Sequence, residues 1–185
     1  MKVDILLALT NYTIGSIMFA IHVPRLLRMQ DPRDYGSKNP GSTNAFRQST
    51  SLGFWVFLGD VLKGLIAGKI ALHGSTPLAQ SMIGISCFIG HLFPIFHRFQ
   101  GGKGIATGLG LWIIMCPTIA VIGLTFWFIV LFVFRNAAIA GVSTAFVSSM
   151  ASINQHDPYS LMVLMMLFLT SMKHIPSLVR AIEFK

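Results

Sequence analysis

The sequence has 185 residues, of which 54% are hydrophobic and only 11% are charged, and its mean hydropathy is +0.69. A water-soluble globule needs far more polar side chains for its surface, so the composition indicates an integral membrane protein. The formal net charge is +8, but no dense basic run is interleaved with stacking aromatic residues. This pattern excludes nucleic acid as a partner, and we interpret the basic residues as signals of membrane topology.

Long apolar stretches follow one another along the chain, and most approach the roughly 20 residues that a helix needs to cross hydrocarbon. They cover residues 5–23, 52–72, 78–96, 105–134, 137–153 and 158–172. The fourth stretch is too long for one crossing, and Pro117 divides it because proline removes a helical hydrogen-bond donor. We therefore expect one all-α integral membrane domain over residues 1–185, with about seven transmembrane helices.

The first apolar stretch resembles a signal peptide in length but not in pattern. Asp4 lies where a signal peptide carries positive charge, and no small-residue cleavage site follows. We interpret this stretch as a retained first span.

The basic residues predict the orientation of the chain. With seven crossings, one side of the membrane receives Arg25, Arg28, Arg33, Lys38, Arg47, Arg98, Lys103, Arg135, Lys173, Arg180 and Lys185. That side is the cytoplasm by the positive-inside rule, so the N-terminus is expected outside and the C-terminus inside. The segment over residues 105–116 is too short to cross the membrane as a helix by itself. Either its first residue lies below the headgroup level or the bilayer is thinner at this point.

Two glycine-containing polar segments suit phosphate groups. Residues 35–47 combine glycines and hydroxyl side chains with Arg47, whose planar guanidinium can bind two phosphate oxygens. Residues 101–104 place Lys103 among three glycines, where a ligand can approach the main chain closely. Both segments fall on the predicted cytoplasmic side, as does a third polar segment, which runs from Lys173-His174 through Glu183.

Several polar and small residues lie inside the apolar stretches. Asp60 and Lys63 are three residues apart on a predicted helix and are expected to pair, in a structural or a functional role. Gly64 and Gly68, like Gly104 and Gly108, have the spacing that lets helices pack closely in lipid.

Other familiar sites are not indicated. The segment around Lys103 lacks the upstream glycine and the following Ser or Thr of a P-loop. The six acidic residues are scattered without a histidine cluster, and Cys87 and Cys116 lie in apolar stretches without CxxC spacing. We therefore expect no metal ion, no cofactor and no disulfide framework.

The order and content of the polar segments resemble the acyl-phosphate-dependent glycerol-3-phosphate acyltransferases of bacteria, the PlsY type. The resemblance runs along nearly the whole chain. It is strongest over residues 37–47, over Asp60-x-x-Lys63-Gly64, and over Gly90-His91-x-Phe93-Pro94 followed by residues 101–107.

The resemblance implies a cytosolic active site on a seven-span bacterial inner-membrane protein with an external N-terminus. It implies transfer of an acyl chain from acyl phosphate to the first-carbon hydroxyl of glycerol 3-phosphate, giving lysophosphatidic acid and phosphate for phospholipid synthesis. The expected partners are these substrates and membrane lipids, and the protein is expected to be a monomer.

The resemblance also assigns roles to residues. Arg47 and Lys103 would neutralise the two phosphates, and His174 would accept the hydroxyl proton or orient a phosphate. The candidate catalytic residues are Ser37, Arg47, Lys103 and His174. The candidate substrate-binding residues are Asn39, Gly41, Thr43, Asn44, His91, Gly101, Gly102, Gly104 and Ser177.

The chain departs from the family pattern at several positions. Lys38 stands where the family usually has glycine, Ser177 where it has asparagine, and Ala138 and Gly141 where it tends to have serine. Glu183 only loosely matches the family's final glutamate. A non-catalytic lipid- or phosphate-binding paralogue and a small anion transporter are the alternatives.

Overall fold

The computed structural model describes the backbone of residues 1–183 and the side chains of residues 1–177 and 179. Within these residues all regular structure is helical, as the sequence predicts. The side chains of Arg180, Glu183 and Lys185, used above for topology and the family pattern, lie outside the described part. The helices are α1 (Lys2–Gly15), α2 (Phe19–Leu26), α3 (Ser42–Gln48), α4 (Thr50–Ala71), α5 (Pro77–Leu92), α6 (Ile105–Met115), α7 (Pro117–Phe134), α8 (Ala137–Asn154) and α9 (Ser160–Glu183).

Five helical segments are long and apolar enough to cross a membrane, and α1 with α2 makes a sixth if that bent pair is one span. The chain is thus an all-helical membrane protein. The predicted break is present, since α6 ends at Met115 and α7 begins at Pro117. Because α6 is shorter than a full span, seven crossings stay a prediction.

The first apolar stretch, residues 5–23, was expected to be a single span, and it is bent in the structure. The axes of α1 and α2 differ by 43°, with the break at residues 16–18. Lys63 holds this bend, because its ammonium donates to the carbonyls of Gly15 and Ile17 at 3.1 and 2.8 Å. These carbonyls lack helical partners at the break, so the cation replaces the missing hydrogen bonds.

Small residues bring the central helices together. Gly64 on α4 packs against α6, where an added Cβ would lie 2.9 Å from the Gly110 Cα. An added Cβ at Gly108 would lie 2.7 Å from the Met166 side chain of α9. The packing role expected for these glycines is confirmed, and such close backbone contact is how helices associate in lipid.

The Asp60–Lys63 pair expected from the sequence forms inside the bundle. Lys63 Nζ lies 3.0 Å from Asp60 Oδ1, and both side chains are only 3% exposed. A buried charge in apolar surroundings is costly unless it is paired, so each residue requires the other.

Candidate active site

A polar cavity of about 520 Å³ lies at the end of the bundle where α5 ends and α6 begins. It brings together the α2–α3 segment, the glycine segment before α6 and the last turns of α9. Among the described side chains that line the cavity, four carry positive charge and none carries negative charge. The lining residues are Arg33, Ser37, Lys38, Asn39, Pro40, Phe99, Gln100, Gly101, Lys103, Lys173, Pro176 and Ser177.

Asn44 holds the α2–α3 segment in shape. Its Nδ2 donates to the carbonyls of Pro32 and Tyr35 at 2.6 and 3.1 Å. Its Oδ1 accepts from the Ser37 backbone N–H at 3.0 Å and from Arg47 Nη1 at 3.3 Å. The Asn44 amide, predicted to bind substrate, is thus engaged within the protein, and it positions Ser37 at the cavity wall.

The predicted residues of this segment fall into two groups. Ser37 and Asn39 line the cavity, whereas Gly41, Thr43 and Arg47 are not among its lining residues. Residues 42–48, expected as part of a loop, form the short helix α3. Thr43 and Arg47 are exposed on that helix, and Arg47 reaches back to Asn44.

Lys38 adopts a backbone conformation that favours glycine. Its φ is +57°, and its N–H donates to the Tyr35 carbonyl at 2.9 Å. A left-handed conformation places the Cβ of an L-residue too close to the main chain and costs roughly 1–2 kcal/mol. The glycine that the family usually has here fits this turn without strain, so Lys38 adds a charge to the cavity at the expense of local stability.

The glycine segment lies directly against His91. The Gly102 N–H donates to the His91 carbonyl at 3.1 Å. An added Cβ at Gly101 would overlap the His91 carbonyl, and one at Gly102 would overlap His91 Nε2. His91, a predicted substrate-binding residue, is buried behind this segment instead of lining the cavity.

Gly104 ends the glycine segment and begins α6. Its φ of +84° lies in the left-handed region, which explains the glycine. Gly102 and Gly104, both predicted to bind substrate, are not among the lining residues, whereas Gly101 is.

Lys103 connects the glycine segment to α9. Its Nζ donates to Ser177 Oγ at 2.6 Å, and both side chains line the cavity. The sequence predicted both residues for the site. Their direct contact joins the second and third polar segments at one point.

His174 lies on α9 one turn before Ser177 but is turned into the bundle. It is 1% exposed, and its Nδ1 lies 2.8 Å from the Thr170 carbonyl. This contact places the ring proton on Nδ1, so Nε2 carries the lone pair. An added Cβ at Gly141 would lie 2.8 Å from Nε2, which therefore faces α8.

Three cavity cations, Arg33, Lys38 and Lys173, were not among the candidate site residues. Lys173 Nζ lies 4.2 Å from the centre of the Phe93 ring, a cation–π contact at the cavity wall. In the sequence, the position of Lys173 next to the candidate residue His174 was the feature that could have identified it as a site residue.

Arg33 was interpreted from the sequence as a signal of membrane topology, and the structure places it in the cavity lining. Its Nε and Nη2 donate to the two carboxylate oxygens of Asp31 at 3.0 and 2.7 Å. Burial opposes ionisation of Asp31, but the hydrogen bonds from Arg33 outweigh it and hold the pKa of Asp31 below its ordinary value. The ion pair fixes the direction of the Arg33 side chain.

The fold and the site together define a helical membrane protein with a cationic, hydroxyl-containing cavity at one end of its bundle. Charge-assisted hydrogen bonds from such groups match phosphate oxygens.

Comparison with known proteins identifies the family. The family model for glycerol-3-phosphate acyltransferase matches residues 5–183. A glycerol-3-phosphate acyltransferase of Burkholderia ambifaria strain MC40-6 is 37% identical over 176 residues, covering 92% of this chain and 83% of the relative. One of Cupriavidus taiwanensis is 39% identical over 148 residues, covering 77% and 73% of the two chains. The chain belongs to the glycerol-3-phosphate acyltransferase family, of the PlsY type.

Solved structures agree with this assignment. The chain is similar to PlsY (YgiH), an integral membrane glycerol 3-phosphate acyltransferase, in its glycerol 3-phosphate form. The TM-score is 0.90 at 28% identity, covering 97% of this chain and 92% of the other. The lysophosphatidic acid form of the same enzyme gives a TM-score of 0.88 at 27% identity.

Proposed function

We propose that the protein transfers an acyl chain from acyl phosphate to the 1-hydroxyl of glycerol 3-phosphate, at the cytoplasmic face of a bacterial inner membrane. The observation that carries the proposal is the convergence of the three polar segments on one cavity, whose described lining contains four cations and no acid. Two phosphates held side by side repel each other, and several cations in a sheltered site offset that repulsion.

We choose acyl phosphate as the donor because of its intrinsic reactivity. An acyl phosphate is an activated mixed anhydride, so the enzyme needs to position it and stabilise its leaving group without forming a covalent intermediate. Both cysteines are buried away from the cavity, so neither supplies a nucleophile there.

In the proposed reaction, the 1-hydroxyl oxygen forms a bond to the acyl carbon and the bond from that carbon to the phosphate oxygen breaks. Inorganic phosphate leaves, and lysophosphatidic acid remains. Lys103, with Ser37 and Ser177 beside it in the lining, binds phosphate oxygens. In this proposal the hydroxyl proton goes to His174, whose Nε2 holds the lone pair that a general base requires. Nε2 faces α8 in the structure, so the ring has to turn towards the cavity to accept the proton.

The test is acyl transfer by the purified protein with acyl phosphate and labelled glycerol 3-phosphate. We expect lysophosphatidic acid and phosphate in equal amounts, with full activity in excess chelator. Lys103→Ala should lower turnover at least about a hundredfold, as the loss of a charge contact to a phosphate predicts. Lys69→Ala removes an exposed lysine from the last turn of α4, away from the cavity, and serves as the matched control.

Two results would contradict the proposal. One is binding of glycerol 3-phosphate without any acyl transfer, which would favour the non-catalytic paralogue. The other is transfer from acyl-CoA but not from acyl phosphate, which would identify a different donor.

A further inference from the structure

A buried polar network runs behind the cavity and is separate from its lining residues. Its centre is Asp60 Oδ1, which lies 3.0 Å from Lys63 Nζ and 3.6 Å from His91 Nδ1. His91 Nδ1 is also 3.2 Å from Thr107 Oγ1. These four side chains come from α4, α5 and α6, and all are buried.

The network connects to the glycine segment through His91. The His91 carbonyl accepts from the Gly102 N–H, and His91 Nε2 lies against the Gly102 Cα. A rotation or shift of the His91 ring therefore moves Gly102, and with it the neighbouring Lys103 at the cavity.

The network is also anchored at its other end. Lys63 binds the Gly15 and Ile17 carbonyls at the bend between α1 and α2, so its ammonium cannot move without releasing that bend. Asp60 is thereby held in place by a cation that has three oxygen partners. A fixed carboxylate beside His91 restrains the orientation of the ring.

We propose that the Asp60–Lys63 pair, acting through His91, positions the Gly101–Lys103 segment for phosphate. Asp60, Lys63 and His91 are positioning residues, because none of them lines the cavity. The expected effect on substrate binding and acyl transfer rests on the proposed function. The expected effect on the Gly101–Lys103 segment is independent of any reaction.

The main variant is the double change Asp60→Asn with Lys63→Gln, because the glutamine amide removes the charge but can still donate to the Gly15 and Ile17 carbonyls. Removing one partner leaves an unpaired buried charge that destabilises the protein, whereas removing both charges at similar volume is often neutral for folding. The double variant therefore tests the positioning role apart from the cost of a lone charge.

Asn11→Leu is the matched control. Asn11 is fully buried and donates to the carbonyls of Ala67 and Ile83 at 3.0 Å each, so it joins α1 to α4 and α5. These hydrogen bonds reach neither His91 nor the glycine segment.

The first measurement is hydrogen–deuterium exchange of the peptide over residues 99–105, with each protein in nanodiscs. We expect exchange at Gly102 to be at least about tenfold faster in the double variant, because its bond to His91 opens more often, and unchanged in Asn11→Leu. The second measurement is binding of glycerol 3-phosphate, which should weaken about tenfold or more in the double variant only.

If the double variant does not fold, Thr107→Val replaces it, since this change removes a His91 partner and leaves the ion pair intact. It should raise exchange in the same peptide to a smaller extent. Unchanged exchange at Gly102 in a folded variant would overturn the inference, whatever its activity. Faster exchange in a protein that does not acylate glycerol 3-phosphate would support the positioning role and contradict only the proposed function.

Discussion

At the scale of single residues, Lys38 has a backbone conformation that conflicts with its side chain. It has a φ of +57° and lines the cavity, where the family usually has glycine. The residue thus combines a conformational cost with an added positive charge.

Lys38→Gly should stabilise the protein by about 0.5–1 kcal/mol, because the relief of left-handed strain exceeds the extra chain entropy of glycine. Thermal unfolding in detergent measures the effect. Lys38→Ala is the control, since it removes the charge and keeps the strain, and it should not be stabilised. A lower melting temperature for Lys38→Gly would show that the lysine side chain stabilises the segment.

Arg47 was predicted to be catalytic, but it does not line the cavity. The structure places it on the exposed side of α3 with a hydrogen bond to Asn44, outside the cavity lining. We predict that Arg47→Ala lowers turnover at least about a hundredfold, through loss of a charge near phosphate.

Arg47→Gln distinguishes the two ways in which Arg47 could act. The glutamine amide can donate to Asn44 but carries no charge, so activity should stay low if the charge contacts phosphate. Turnover of Arg47→Gln near that of the parent, measured at equal membrane expression, would instead reduce Arg47 to a support for Asn44.

At the scale of elements, a hydrogen bond connects the glycine segment to α9. Lys103 Nζ donates to Ser177 Oγ at 2.6 Å, at the position where the family has asparagine. The third polar segment therefore reaches the cavity despite its departure from the family pattern.

Ser177→Ala should lower kcat/KM about tenfold or less, as expected for the loss of a hydrogen bond to a charged group. Ser177→Asn should keep or raise activity, because the amide oxygen can accept from Lys103 and the amide N–H groups add donors. Steady-state rates of both variants beside the parent give the comparison. A Ser177→Asn rate far below that of Ser177→Ala would show that the space around Lys103 does not admit the longer side chain.

For the whole molecule, orientation in the membrane follows from charge. The connection after α4 and the one after α8 carry no Lys or Arg, whereas the cavity end of the bundle carries many. The positive-inside rule therefore predicts that the cavity faces the cytoplasm.

Single cysteines introduced at exposed positions can test this orientation. His73→Cys and Gln155→Cys should react with a membrane-impermeant maleimide in cells whose outer membrane is permeabilised, and Arg28→Cys only after lysis. The native cysteines are buried and contribute little background. Reaction of Arg28→Cys and His73→Cys from the same side would contradict the predicted topology.

The sequence predicted helix boundaries best where proline or composition imposed them. The break at Pro117 follows from covalent geometry, and the apolar stretches that became α4, α7 and α8 follow from the cost of placing polar groups in lipid. The bend between α1 and α2 was missed, because it depends on Lys63, which lies 46 residues beyond Ile17 in the chain.

The residues that line the candidate site also fall into those that the sequence predicted and those that it missed. Ser37, Asn39, Lys103 and Ser177 were predicted and line one cavity. Residue chemistry suited to phosphate indicated Ser37 and Lys103, and the resemblance to the family implied Asn39 and Ser177. Arg33 and Lys173 were missed as lining residues, since one arginine or lysine at a membrane boundary resembles any other topology signal.

The sequence by itself determined the membrane environment, the helical class and the family of this protein, because composition and local motifs are properties of the chain. Only the tertiary structure decided which side chains face the cavity. In the folded protein, His174 and His91 point into the bundle, and Arg47 lies on the outer side of α3. Asp60 lies beside His91, which contacts the glycine segment. Side-chain direction depends on how helices distant in sequence pack against one another, and that packing is set by close contacts such as those of Gly64 and Gly102.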